Sequence, residues 1–298
     1  MTTATSTFDR LVAILEQGAS LTRADLDALA SVPDLLTVGA LADTLRRQLW
    51  PAEVTYVRVQ DIDGASSAPM TIEPAAREVR LLRAGMGLDE ALTRVAGIAA
   101  QAEGRTLSGF AWRDVSAWSS DAGCPESDVL AKLRAAGLDA LAGVELRADD
   151  ETDRRIDLLR DAGFDRLRVG VEPGQEPLAV FERIAARHAR DRSVQVIDPL
   201  TSGRTAGQPT TGYQDIRRVA LARLAAPGVP SIQVDWRRHG VKLAQVSLTF
   251  GADDLGGVSA SDEAPEGRRR APIEELRRNI EAAGFTPRER DGRFARLS

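Results

Sequence analysis

The chain has 298 residues, 43% hydrophobic and 28% charged, with a formal net charge of −5 at pH 7. That is enough apolar material for a sizeable core, and it lacks the basic surplus that marks a nucleic-acid partner. No apolar run approaches the roughly 20 residues of a membrane span, and the opening MTTATSTFDR has no basic segment followed by an apolar core, so no membrane partner and a cytoplasmic location are expected.

Cysteine usage narrows the chemistry further. Cys124 is the one thiol and His188 and His239 are the two imidazoles. An internal disulfide is excluded, and a zinc or iron–sulfur site of ordinary ligand set has too few donors, so no metal site is expected.

In chain order, Phe8 to Leu15 reads as a helix, and the cap-like run Ser20 to Asp25 opens a second one through Leu29. A third, Leu35 to Leu49, carries Leu35, Val38, Leu41, Ala42, Leu45 and Leu49 on one face and ends at Trp50-Pro51. Val54 to Val59 is a strand by alternation, and Asp61 to Val79 follows as a loop. Gly87 to Ala102 is an amphipathic helix, and Leu107 to Trp112 a strand followed by a polar stretch.

Beyond it, Ser127 to Ala136 is a helix closed by Gly137 and leading through Leu138 to Glu145. Asp149 to Ala162 (helix), Leu167 to Val171 (strand), Pro177 to Arg190 (helix) and Ser193 to Ile197 (strand) alternate up to Asp198-Pro199. His188, among arginines in a polar helix, reads as exposed. Pro199 to Thr211 is a Gly/Pro/Thr-rich loop, and Ile216 to Ala226 the helix after it. Ser231 to Trp236 reads as a buried strand, Gly240 as a break, and Lys242 to Phe250 as a short packed helix closed by Gly251. Ser259 to Ala271 reads as a mobile polar loop, Ile273 to Ala283 as a helix, and Phe285 to Leu297 closes the chain. Strand and helix alternating in this way build a parallel α/β fold, whose functional groups gather at the C-terminal ends of strands. Glu145, Asp198 and Asp235 fall at such ends.

The stretch IQVDWRRHGVKLAQVSLTFGADDLGGV resembles the last βα unit of one radical-SAM group. That group comprises aminofutalosine synthase, dehypoxanthine futalosine cyclase and the related deazaflavin synthase subunits. The residues that carry the likeness are Trp236, Gly240, Lys242, Ala244, Gln245, Phe250, Gly251, Ala252 and Asp253. PDLLTVGALADTLRRQL resembles the group's N-terminal cap, and Phe285 to Asp291 its closing strand. The resemblance implies a TIM-like (β/α) barrel with a helical cap at 1–50, the barrel at 51–258 and a loop, helix and closing strand at 259–298. The chain looks short by about one βα unit.

The resemblance also places Glu145 where the group has a carboxylate facing its active centre. It makes Pro199 to Thr211, with Thr201 and Arg204, the counterpart of a loop over the substrate. It fails where the cofactors would sit. The group's first strand leads into C-x-x-x-C-x-x-C, whereas Asp61 to Val79 here contains no cysteine, and no GGE-like SAM motif is present. No iron–sulfur cluster is expected, and SAM loses its usual contacts.

Besides a plain structural or binding barrel with no pathway link, two uses of such a barrel remain open. One is a non-radical ligand-binding or partner protein, a pseudoenzyme linked to menaquinone and futalosine-type metabolism, that binds a small nucleoside-like ligand or pairs with an active paralogue. The other is a cluster-independent lyase, hydrolase or transferase acting on a nucleoside-like or carboxylate substrate, with Glu145, Asp198 and Asp235 as acid–base groups. Trp236, Arg237, His239, Lys242, Thr201 and Arg204 are the candidate ligand contacts. Each has a plainer reading: Trp236 as core, Asp253-Asp254 as a turn or cap, Asp235 and Lys242 as a local pair, and Arg237-Arg238 and Arg268–Arg270 as solvated faces.

Overall fold

A computed structural model describes residues 2–64, 71–83, 85–200, 211–264 and 271–297. Three helices come first: α1 (Thr2–Glu16), α2 (Arg23–Ser31) and α3 (Leu35–Leu49). Thr22 and Asp25 form a capping box that fixes the start of α2, and Asp34 caps α3 by accepting from the Leu36 amide. The apolar stripe of these helices, including Leu15, Val38, Leu41 and Leu45, packs on Leu178, Leu224 and Phe250 of the barrel's outer layer. Each such side chain contributes roughly 1.5–3 kcal/mol by burial.

The barrel follows as β1 (Glu53–Asp63), β2 (Glu78–Leu82), α4 (Leu88–Ala99), β3 (Thr106–Ala111), α5 (Trp112–Ala122), α6 (Glu126–Ala135), β4 (Ala140–Leu146) and α7 (Glu151–Asp161). It continues with β5 (Leu167–Val171), α8 (Pro177–Asp191), β6 (Val194–Asp198), α9 (Gly212–Ala225) and β7 (Ser231–Asp235). Two short helices, α10 (Trp236–His239) and α11 (Val241–Ser247), and a 3-10 turn (Leu248–Phe250) precede β8 (Asp254–Ser259), α12 (Pro272–Ala282) and β9 (Thr286–Glu289). Among the described residues, β1 to β8 pair in parallel in chain order, and β1 pairs with both β2 and β8. The barrel is therefore closed. β9 adds in parallel to the N-terminal half of β1, Glu53 facing Thr286.

The inside of the barrel is unusually charged. Glu78 on β2 accepts from Ser108 Oγ of β3 at 2.6 Å and from Arg168 of β5 at 3.3 Å. Because β2 and β5 are not neighbours, the second contact crosses the lumen. Lower down, Arg290 grips Asp254 with two bonds of 2.7 Å, and Thr55 Oγ1 donates to the same carboxylate at 2.5 Å. Phe294 stacks under the Arg290 guanidinium, 4.0 Å from its ring centre, so the C-terminal segment plugs the barrel floor. Asp253 points the other way, as successive strand residues must, and meets Arg223 of α9 at 2.5 Å and the Ile232 amide at 2.7 Å.

Several expectations are corrected here. The expected shortfall of one unit is not found: β2 begins at the last two residues of the expected loop and runs on to Leu82. The polar stretch after Trp112 is helix α5. Lys242 to Phe250 is not one helix but α11 and a 3-10 turn, preceded by α10 directly on the end of β7. Asp253 and Asp254 are buried ion-pair partners rather than a turn or cap. His188 is buried, 3% exposed, because the polar helix turns this face inward. Residues 265–270, within the expected mobile loop and including Arg268–Arg270, lie outside the described residues.

Candidate functional site

The C-terminal ends of β2 to β7 surround a cavity of about 340 Å³ at the barrel mouth. Glu145, Asp198 and Asp235 all line it. So do five arginines: Arg80, Arg83, Arg113, Arg168 and Arg238.

Glu145 leaves β4 with its backbone carbonyl held by Arg155 at 2.5 Å. Its Oε2 is buried and has no hydrogen-bond partner among the described residues. The nearest cation, Arg113, stands 3.9 Å away and is largely exposed. Asp198 ends β6 and accepts from the Leu200 amide at 3.0 Å, with Arg238 at 3.8 Å. Burial pushes its carboxyl above the usual range, aided by Asp235, and Arg238 and His239 do not fully offset this.

Asp235 behaves oppositely. Burial alone would raise it, but the Arg238 amide, bonded at 2.8 Å, and the Arg238 and Arg80 charges hold it below the usual range. Its place depends on Gly257 of β8: a Cβ there would lie 2.5 Å from Asp235 Oδ1, at a backbone φ of +72°. Two neighbouring carboxylates with oppositely displaced affinities for protons are able to serve as an acid and a base.

Short strand-to-helix turns set the arginines. Phe110 sits at φ +58°, which lets β3 pass straight into α5, where the Asp114 carboxylate takes the Ala111 amide at 2.8 Å and Arg83 at 3.0 Å. Arg113 projects from the same turn. At the opposite wall β7 passes into α10 with Asp235 as its cap.

Trp236, Arg237, His239 and Lys242 lie elsewhere. Trp236 is buried in the core, 7% exposed. Arg237 is exposed and bridges to Asp61 at the end of β1, which Arg80 also holds at 2.7 Å. Arg237 is thus ion-paired rather than merely solvated, and Arg238 lines the cavity 3.8 Å from Asp198. His239 and Lys242 line a separate outer groove with Ile216, Leu243 and Glu275. Burial lowers the His239 imidazole despite the pull of Asp198. Thr201 and Arg204 lie outside the described residues. The cavity arginines Arg80, Arg83, Arg113 and Arg168, and Gln233, were not anticipated. The available signal was charge or amide at alternate positions of otherwise apolar strands, as in EVRLL, LRVGV and SIQVD.

The donor set does not fit an iron–sulfur cluster. The mouth end of β1 presents Asp61, already claimed by two arginines. Cys124 lies between α5 and α6 in the helical layer, its carbonyl accepting from Ser119 Oγ at 2.6 Å. No cluster of three or more His, Cys, Asp or Glu side chains placed to hold a metal ion occurs among the described residues. Nor, among them, is any helix long and apolar enough to cross a membrane.

Comparison with known proteins agrees with the resemblance read from the residues. Residues 198–297 match the family model described as the CofH/MqnC C-terminal region. A 5-amino-6-(D-ribitylamino)uracil–L-tyrosine 4-hydroxyphenyl transferase of Archaeoglobus fulgidus is 42% identical over 89 residues, covering 28% of this chain and 26% of that protein. An aminodeoxyfutalosine synthase of Streptomyces coelicolor is 33% identical over 93 residues, 29% of this chain and 24% of that one. The chain thus spans about a quarter of the length of the curated relatives it matches. In fold, it resembles methylornithine synthase (PylB), TM-score 0.66 at 15% identity over 93% of this chain and 97% of that one. It also resembles the hydrogenase maturase HydG, TM-score 0.63 at 14% identity over 94% and 75%. The chain is thus a closed parallel (β/α) barrel of the fold these two structures share, and part of it is similar in sequence to the transferase and the aminodeoxyfutalosine synthase.

Proposed function

We propose that this barrel serves a non-radical purpose: it binds a small, nucleoside-like, acid-bearing ligand at its mouth, within the futalosine-type metabolism its relatives' names indicate. One observation carries the reading. The three strand-end acids converge on a single cavity together with five arginines, a polar lining suited to a charged small molecule. The thiolates that would seat a cluster are missing from the sequence, so the reading includes no radical step.

A second reading is acid–base catalysis on the same ligand. The opposed displacements of Asp198 and Asp235 favour it, with Asp198 as proton donor and Asp235 as acceptor.

Thermal unfolding in the presence of 5′-deoxyadenosine, aminofutalosine, dehypoxanthine futalosine and SAM tests the binding claim. A ligand at 100 times its Kd stabilises by about 2.7 kcal/mol, which is a shift of several degrees for a chain of this size. One or more of the nucleosides is expected to produce it without help from SAM. A shift by SAM alone, or by none of the four, contradicts the reading.

A further inference from the structure

The five cavity arginines fall into two kinds. Arg80, Arg83 and Arg168 are committed, bonded to Asp61, Asp114 and Glu78 at 2.7, 3.0 and 3.3 Å. Arg113 and Arg238 are not, among the described residues: their approaches to Glu145 and Asp198 are 3.9 and 3.8 Å, too long for a hydrogen bond. Their side chains are 69% and 45% exposed, and such loose exposed pairs add little to stability.

These two stand on facing walls. Arg113 follows β3 and Arg238 follows β7, and in the closed order β1 to β8 those strands are four apart, diametrically opposed. Between them lies the cavity, and beside Arg113 stands Glu145, whose Oε2 has no hydrogen-bond partner among the described residues.

We propose that the ligand carries an anionic group at each of its two ends, gripped by Arg113 on one wall and Arg238 on the other. A donor next to the ligand's Arg113 end, a hydroxyl or an N–H, bonds Glu145 Oε2. The class is a small diacid, either a dicarboxylate or a phosphorylated acid, since a guanidinium takes either group through paired N–H bonds. A cavity of about 340 Å³ is of the size that accepts a small metabolite. The inference rests on the reading that the mouth is a ligand site, and adds to it the ligand's charge pattern.

Titration calorimetry on the full chain at low salt tests it. Glutarate, adipate and 3-phosphoglycerate serve as two-ended dianions, and butyrate and inorganic phosphate as one-ended controls. At least one two-ended probe is expected to bind about tenfold or more tighter than either control. Arg113→Ala and Arg238→Ala should each weaken it by about tenfold, a loss of one charge-assisted pair, with unchanged melting temperatures. Lysine at either position should restore part of the affinity. A preference for 3-phosphoglycerate over adipate assigns one end to phosphate, and the reverse assigns both to carboxylate. Equal binding of butyrate and the dianions, or wild-type affinity in both alanine variants, overturns the proposal. If no dianion binds while the nucleosides above still stabilise the protein, the charge pattern is wrong and the ligand site stands. If neither set binds, both readings fall.

Discussion

Arg290→Met is expected to lower stability by about 3–5 kcal/mol at pH 7, the usual cost of stranding a buried charge. Asp254 is fully buried, and in the native protein burial alone would raise its carboxyl. Arg290, with bonds from Thr55 and Gln233, instead holds it below its ordinary value. That stabilisation is complete above the ordinary value of 3.8 and is lost as pH falls through the lowered one. In the variant the balance reverses. Burial dominates, the folded state takes up a proton before the unfolded state does, and stability relative to wild type recovers on acidification. Urea unfolding at pH 7 and at about pH 5 checks this. The deficit should shrink at the lower pH, and adding Asp254→Asn should recover part of it at pH 7. A deficit below about 1 kcal/mol at pH 7, or one that grows with acid, would show that the plug on the barrel floor is not held by this pair.

Gly257→Ala has the second largest expected effect, and it reaches the mouth. A methyl at φ +72° costs about 1–2 kcal/mol of backbone strain. The clash with Asp235 at 2.5 Å adds about 1–3 kcal/mol of overpacking. Gly18→Ala is the control, since Gly18 has φ +71° and nothing within 4 Å of the added carbon. It should show the strain without the clash. The difference in unfolding free energy isolates the contact with Asp235, and ligand-induced stabilisation should fall in Gly257→Ala alone. Equal losses in the two variants would mean that Asp235 moves aside freely and that its position is not built into β8.

The helical cap and β5 were legible because their patterns are ordinary. α3 shows one apolar stripe between a cap and Trp50-Pro51, and LRVGV is bounded by turn residues on both sides. β2 was hidden by its own function. Its outward residues Val79 and Leu81 pack under the helices, while Glu78 and Arg80 point into a charged lumen, so EVRLL lacks the continuous apolar run of a buried parallel strand. The three acids were legible because the C-terminal strand end is a position that sequence order reveals. Their neighbours were not, because α10 begins without a loop. Each step around its turn sends the next side chain in a new direction: Trp236 into the core, Arg237 to Asp61, Arg238 back over the mouth, His239 to the outer groove. The helix disperses the candidate ligand contacts Trp236, Arg237 and His239 away from the cavity, and the residue that lines it is Arg238, which reads in the sequence as part of a solvated face. Arg113 was missed for the related reason that β3 passes into α5 at Phe110 with no loop to announce it.

Anaerobic reconstitution with iron and sulfide, followed by metal and sulfide analysis and a SAM-cleavage assay, tests the proposed non-radical use of this barrel most directly. With Cys124 the one thiol and Asp61 engaged by arginines at the end of β1, substoichiometric iron and no 5′-deoxyadenosine are expected. Stoichiometric iron and sulfide, together with reductive turnover of SAM, would contradict it.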